Sequence, residues 1–64
     1  MRLKAIREDS DIAQKTLSEY LNIKQNTYSQ YENGRRQIPI ELLIKLADYY
    51  NVSVDYVLGR TDKP

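Results

Sequence analysis

Residues 24–34 read KQNTYSQYENG, and the fold that the sequence predicts is organised around this stretch. On a helix that advances about 100° per residue, one face of the stretch carries only amide and hydroxyl side chains. These side chains belong to Gln25, Asn26, Ser29, Gln30 and Asn33. Tyr28 and Tyr31 lie on the opposite side of the same helix, where they can pack against a core.

This amide face has two interpretations. Solvated helix faces more often carry Lys and Glu, because those side chains are good helix formers and are strongly hydrated. Gln and Asn can instead donate and accept hydrogen bonds in pairs, which matches the base edges in a DNA major groove. The alternative is an ordinary polar surface, and residues 24–34 alone leave both interpretations open.

The composition limits the classes of protein that fit. Sixty-four residues allow one small domain, and the 41% apolar and 30% charged fractions are typical of a globular chain. No apolar run approaches a membrane span, the N-terminus lacks the apolar core of a signal peptide, and Cys is absent, so we expect a cytoplasmic protein without a membrane partner. With no His or Cys and only two Gly, we expect no metal, no cofactor and no enzyme activity.

The net charge of +1 is distributed unevenly along the chain. Residues 24–36 carry three basic side chains and one acidic one, whereas residues 37–64 carry three basic and four acidic side chains. The excess of positive charge therefore surrounds the amide-rich stretch, and a local patch of this kind is what matters for an anionic partner.

Apolar periodicity and capping residues predict five short helices and no strand. The predicted helices are Arg2–Glu8, Ala13–Leu21, a third from Lys24 or Gln25 to about Asn33, Pro39–Tyr50 and Val54–Leu58. Asn22 and Asn51 tolerate the left-handed conformation that ends helices, and Ser53 is a good N-cap for the last helix. Only about three residues join the second and third helices, which is the outline of a helix-turn-helix.

A single core can be assembled from apolar residues of all five predicted helices. Its predicted members are Leu3, Ile6, Ile12, Leu17, Leu21, Ile23, Tyr28, Tyr31, Ile40, Leu43, Leu46, Ala47, Tyr50, Val52, Val57 and Leu58.

Nearly the whole chain matches one family pattern. The matching residues are Arg2-Leu3-Lys4 with Arg7, Gln14 with Leu17, Tyr28-Ser29 with Tyr31-Glu32-Asn33-Gly34, Leu43, Leu46-Ala47, Val52-Ser53-Val54-Asp55 and Leu58-Gly59. On these residues the chain resembles the Cro/CI-type (XRE-type) helix-turn-helix family of phage and bacterial repressors. The resemblance implies an all-α, compact five-helix bundle of the lambda-repressor-like kind, with the helix-turn-helix in the second and third helices. We expect this domain to span residues 1–59, with residues 60–64 as a flexible tail or the start of a linker.

The resemblance also implies a function and a set of contacts. The function is sequence-specific binding of double-stranded DNA as a transcriptional regulator, in particular a repressor, commonly as a dimer on a palindromic operator. Base contacts are implied for Gln25, Asn26, Ser29 and Gln30. Phosphate contacts are assigned to Gln14, Thr27, Asn33, Arg35 and Arg36, although a solvated loop is the alternative for the two arginines. The family pattern further pairs Arg7 with Glu32 in a salt bridge that braces the third helix, and it has Gln14 brace that helix's first residue.

Some positions depart from the family pattern. Ala13 stands where a capping Thr or Ser is usual, so we expect Asp11 to cap the second helix instead. Lys24 leaves the third helix without a side-chain cap. Tyr28 replaces an aliphatic residue, and its hydroxyl could reach the surface near a phosphate.

Two further alternatives remain open at this stage. Several apolar residues lie partly outside the core-facing sides of the predicted helices, namely Leu42, Ile44, Tyr49, Val54 and Tyr56. Val54 and Tyr56 are candidate dimer contacts, and the alternative is that these side chains simply cover a small core. The second alternative concerns function, because the same fold can serve as an antitoxin or a protein-protein interaction module.

Overall fold

A computed structural model describes residues 1–64, and the chain forms five α-helices without any strand. The helices are α1 (Leu3–Asp9), α2 (Gln14–Leu21), α3 (Gln25–Glu32), α4 (Ile40–Tyr50) and α5 (Val54–Leu58). The predicted all-α class is confirmed, and every helix boundary lies within about one residue of its prediction. None of the five helices combines the length and the apolar character needed to cross a bilayer.

Helix ends are set by local residues as the sequence predicts. Asn22 and Asn51 are the C-caps of α2 and α4, and both have the left-handed backbone conformation, with φ of 58° and 57°. Asn reaches this conformation more readily than most residues because its short polar side chain can bond locally. The Ser53 hydroxyl accepts a hydrogen bond from the Tyr56 backbone N–H at 3.0 Å, so the predicted cap of α5 is confirmed.

The turn between α2 and α3 brings these two helices into direct contact. The Ile23 N–H donates to the Ser18 carbonyl at 2.9 Å, and this bond closes the last turn of α2. Helix α3 then begins at Gln25, with Lys24 as an N-cap that makes no side-chain bond, as predicted. The short turn therefore holds α3 against α2 while one face of α3 stays outside.

Asp11 does not cap α2, and that expectation was wrong. The N-cap is Ala13, which makes no side-chain bond. Asp11 lies two positions earlier with φ of 57°, and its N–H donates to the Glu8 carbonyl at the end of α1. An N-cap side chain must come from the residue directly before the helix, so Asp11 belongs to the end of α1 instead.

Nine buried apolar residues form the core. They are Leu3, Leu17, Leu21, Tyr28, Ile38, Leu43, Leu46, Ala47 and Val57. The prediction was wrong at Ile40, which is 55% exposed, whereas Ile38 is only 8% exposed. Residues before a proline favour an extended backbone, so Ile38 precedes α4 and turns its side chain inward, and Ile40 then begins the helix at the surface.

Candidate nucleic-acid interface

Helix α3 presents its amide face to solvent. Gln25, Asn26 and Asn33 are exposed, while Ser29 and Gln30 are half-buried on the same side. The opposite side of the helix carries a fully buried side chain, Tyr28, which anchors α3 in the core. The expectation that the Tyr28 hydroxyl reaches the surface was therefore wrong, because the whole side chain points into the domain.

A buried ion pair fixes the last turn of α3 against α1. Arg7 Nε donates to Glu32 Oε2 at 2.6 Å, and Arg7 Nη2 donates to Glu32 Oε1 at 3.2 Å. The Arg7 and Glu32 side chains are 13% and 1% exposed, respectively. Arg7 Nη1 also donates to the Ile12 carbonyl at 2.9 Å, so the guanidinium joins α1, the loop before α2 and α3. The pair that the family pattern predicts is present.

The side chain of Gln14 joins the same cluster from α2. Its Nε2 donates to Glu32 Oε1 at 3.0 Å. Gln14 therefore contacts the last residue of α3, whereas the sequence led us to expect a contact with the first, Gln25. Since Gln14 is the first residue of α2 and remains half-buried, its amide lies between the protein interior and the surface.

The cluster keeps both of its charges. Burial of Glu32 favours the neutral acid, but the side-chain hydrogen bonds from Arg7 and Gln14 outweigh that effect and lower the pKa of Glu32. The hydrogen bond to Glu32 likewise raises the pKa of Arg7. The Glu32 carboxylate is thus neutralised inside the protein and adds little negative potential at the surface.

The exposed charged side chains within residues 24–36 are all basic. Lys24 lies before the helix, and Arg35 and Arg36 follow it, all with exposed side chains. Neither guanidinium of Arg35 and Arg36 forms an ion pair or a hydrogen bond with the protein. Their backbone N–H groups donate to the Gln30 carbonyl at 3.0 and 3.3 Å, which ties this loop to the end of α3.

The two candidate dimer contacts on α5 are only half-buried, and one is already engaged. The Arg2 guanidinium lies 4.7 Å from the centroid of the Tyr56 ring, a cation–π contact within the chain. Exposed apolar side chains are found mainly on α4, where Ile40 and Ile44 are separated by one turn. Tyr20 and Tyr49 form a second exposed pair, with ring centroids 4.8 Å apart.

Sequence reasoning missed one contact that organises the end of the chain. Arg2 Nε donates to the Tyr56 carbonyl at 2.9 Å, and Nη2 donates to the Thr61 carbonyl at 3.1 Å and to Asp62 Oδ1 at 2.9 Å. Thr61 and Asp62 are therefore held against Arg2 near the N-terminus. No local pattern in the sequence indicates a contact between Arg2 and residues 56–62, because the contact arises only when α5 packs beside Arg2.

Together, the short αL turn, the exposed face of α3 and its buried anchor define a helix-turn-helix domain. Residues 3–57 match the family model described as helix-turn-helix, and the chain belongs to the XRE-type helix-turn-helix family.

Curated relatives agree with this assignment. The chain is 43% identical over 61 residues to the HTH-type transcriptional regulator ImmR of Bacillus subtilis (strain 168), covering 95% of this chain and 48% of that protein. It is 38% identical over 63 residues to the uncharacterized HTH-type transcriptional regulator YobD of the same organism, covering 98% and 56%. It is 30% identical over 58 residues to the antitoxin PezA of Streptococcus pneumoniae serotype 4, covering 91% and 37%.

The chain spans about half the length of these two regulators. No solved structure matches the chain.

Proposed function

We propose that this chain is a sequence-specific double-stranded DNA-binding module of a bacterial or phage transcriptional regulator, acting as a repressor. The observation that carries the proposal is the exposed amide face of α3, which is anchored from behind by Tyr28. Free positive charge at Lys24, Arg35 and Arg36 surrounds that face. Amides for base edges and guanidinium groups for phosphates are the two kinds of contact that a major-groove reader needs.

Base recognition is assigned to Gln25, Asn26, Ser29 and Gln30. An amide can bind adenine through both its N6 amino group and its N7, and each such pair contributes about 1–3 kcal/mol of discrimination. The hydroxyl of Ser29 is shorter and can contact either kind of base. Because the four side chains share one face, α3 can present them to successive base pairs without bending.

Phosphate contacts are assigned to Gln14, Thr27, Asn33, Arg35 and Arg36. Gln14 lies at the N-terminus of α2, where exposed N–H groups and the helix dipole favour an anion. Arg35 and Arg36 extend from the loop that follows α3 and have no acidic partner within the chain. These contacts fix the register of the helix on the duplex and supply affinity that depends on salt.

We further propose that the chain binds as a homodimer on a palindromic operator, with Val54 and Tyr56 near the contact between subunits. The support is the half-buried apolar surface of α5 and its neighbours. Sedimentation across a concentration series, with and without a palindromic duplex, tests this part. A strict monomer on the duplex would contradict it.

An antitoxin or protein-protein interaction module is the second candidate. One relative, PezA, is named as an antitoxin, and Ile40 and Ile44 are 55% and 45% exposed on α4. Such a module can also bind DNA, so the two functions are distinguished by the partner that binds and by whether binding to duplex DNA depends on salt. The names of the three relatives describe regulators and an antitoxin, and we propose that this chain too has no enzyme activity.

A salt titration of binding to random duplex DNA tests the proposed function. DNA binders lose affinity steeply as salt rises, because each neutralised phosphate releases counterions. We expect log affinity to fall linearly with log salt concentration, with a slope that corresponds to several phosphate contacts per subunit. Absence of binding at low salt would exclude the DNA-binding proposal and favour the interaction module.

A further inference from the structure

The Glu32 carboxylate has room for one more hydrogen-bond donor. An ionised carboxylate offers about four acceptor positions, two on each oxygen. Oε1 accepts from Arg7 Nη2 and Gln14 Nε2, whereas Oε2 accepts only from Arg7 Nε. With the side chain 1% exposed, solvent does not readily fill the fourth position, so a donor from the protein interior can occupy it.

The hydroxyl of Tyr28 is the group placed to fill it. Tyr28 lies four residues before Glu32 on α3, so the two side chains are neighbours on one side of the helix. Its side chain is fully buried, and its Oη is not paired with any other protein atom in good hydrogen-bonding geometry. Burial is the main cause that raises the pKa of Tyr28, and the adjacent Glu32 carboxylate raises it further. A buried hydroxyl without an acceptor is costly, and the Glu32 carboxylate, one turn further along α3, has an acceptor position open.

We propose that the Tyr28 hydroxyl donates to Glu32 Oε2, and that Tyr28 thereby acts as a positioning residue for the DNA contact of Gln14. The second half of this proposal rests on the proposed function, because it assigns Gln14 to a phosphate. Tyr28 itself is buried and touches no ligand.

The contact acts through the orientation of one carboxylate. Gln14 Nε2 carries two N–H groups, of which one donates to Glu32 Oε1. The second N–H is left for a phosphate, and its direction follows from the plane of the Glu32 carboxylate. A donor on Oε2 fixes that plane. With Arg7 alone, the carboxylate can tilt relative to the guanidinium while both of their hydrogen bonds are kept. Loss of the Tyr28 hydroxyl then lets Oε1 and the Gln14 amide move together.

Tyr50 provides a matched control within the same interior. Its hydroxyl is also buried and unpaired, but it extends from α4 and not from the helix that carries Glu32. Removal of an unpaired buried hydroxyl leaves stability unchanged or improves it. Tyr28→Phe and Tyr50→Phe therefore have opposite expected results, although each variant deletes one buried oxygen atom.

The first experiment needs no DNA. We expect Tyr28→Phe to lower the midpoint of urea unfolding and Tyr50→Phe to leave it unchanged or raise it. In the proton NMR spectrum, a slowly exchanging hydroxyl resonance should be present in the wild-type chain and absent from Tyr28→Phe. A Tyr28→Phe variant with an unchanged or higher midpoint would overturn the proposed hydrogen bond.

The second experiment asks whether Tyr28 acts through Gln14. We expect Tyr28→Phe to weaken binding to random duplex about two- to tenfold, the size of one ordinary hydrogen bond. In a Gln14→Ala background the same substitution should have no further effect, whereas general loss of structure would weaken both backgrounds equally. Equal losses would overturn the positioning role.

If Gln14→Ala itself leaves duplex affinity unchanged, the phosphate contact of Gln14 fails, and the role of Tyr28 in DNA binding is overturned with it. The urea midpoint and the hydroxyl resonance still decide the hydrogen bond in that case, so the two failures are distinguishable.

Discussion

Arg7 on α1 and Glu32 at the end of α3 form a two-point ion pair between residues 25 positions apart in sequence. Because the Glu32 side chain is 1% exposed and that of Arg7 is 13% exposed, this pair joins α3 to the rest of the domain through a contact that salt screens much less than a surface pair.

Removal of Arg7 should destabilise the domain strongly. Arg7→Ala leaves the Glu32 carboxylate buried without its cation, and breaking a buried pair in this way costs about 3–5 kcal/mol. Urea unfolding followed by circular dichroism measures the change. Lys4→Ala is the matched control, because it removes a positive charge from an exposed position of the same helix and should change stability by less than about 0.5 kcal/mol. Similar losses in both variants would contradict a structural role for the pair.

The lowered pKa of Glu32 predicts a specific dependence of stability on pH. The unfolded carboxyl has its ordinary pKa of 4.5, and the folded one lies below that value. The folded state therefore binds the proton less well, so the contribution of Glu32 is fully present above pH 4.5 and is lost as the pH falls through the folded pKa. We expect the difference in unfolding free energy between wild type and Glu32→Gln to shrink below that pH. A difference that stays constant down to pH 3 would show that Glu32 has no perturbed pKa.

Arg2→Ala should release the end of the chain without unfolding it. Arg2 makes hydrogen bonds to Thr61 and Asp62, but the Asp62 side chain is 98% exposed and the ion pair contributes about 0–1 kcal/mol. Backbone amide relaxation by NMR should therefore show faster motion from Thr61 onward. Loss of the Arg2 bond to the Tyr56 carbonyl and of the contact with the Tyr56 ring should add about 1–2 kcal/mol of destabilisation, which leaves the domain folded. Arg60→Ala serves as the control, since its side chain makes no hydrogen bond or ion pair. Unchanged relaxation in Arg2→Ala would mean that other contacts hold residues 61–64.

Substitutions on the two kinds of DNA contact should act differently. Arg35→Ala should weaken all duplex sequences about equally and reduce the salt slope by about one phosphate contact per subunit. Lys45→Ala removes the same charge from the exposed side of α4, away from the assigned contacts, and should leave the slope unchanged. A binding assay over a range of salt concentrations measures both. Equal effects of Arg35→Ala and Lys45→Ala would mean that only net charge matters.

Features that depend on neighbouring residues in sequence could be predicted. Asn22, Asn51 and Ser53 occupy the predicted helix ends, because backbone preference and capping are decided within a few residues. The outward amide face of α3 follows in the same way from helical periodicity. These local signals were sufficient for the helix-turn-helix.

Features that depend on how helices meet could not be predicted in the same way. Burial of Ile38 in place of Ile40 depends on where the connection before α4 crosses the core. The bond from Gln14 to Glu32 joins α2 to the far end of α3, and no spacing in the sequence indicates which end it reaches. The depth of Tyr28 likewise depends on the helices packed around α3.

Selection of bound duplexes from a random pool tests the central claim, that the amide face of α3 reads bases. The wild-type chain should enrich one defined site with adenines among the contacted bases, and Gln25→Ala should relax the preference at one position per half-site while the rest of the site stays the same. Two results would contradict this claim. One is that the wild-type chain enriches no sequence. The other is that Gln25→Ala and matching substitutions at Asn26 and Gln30 all enrich the same site with undiminished preference.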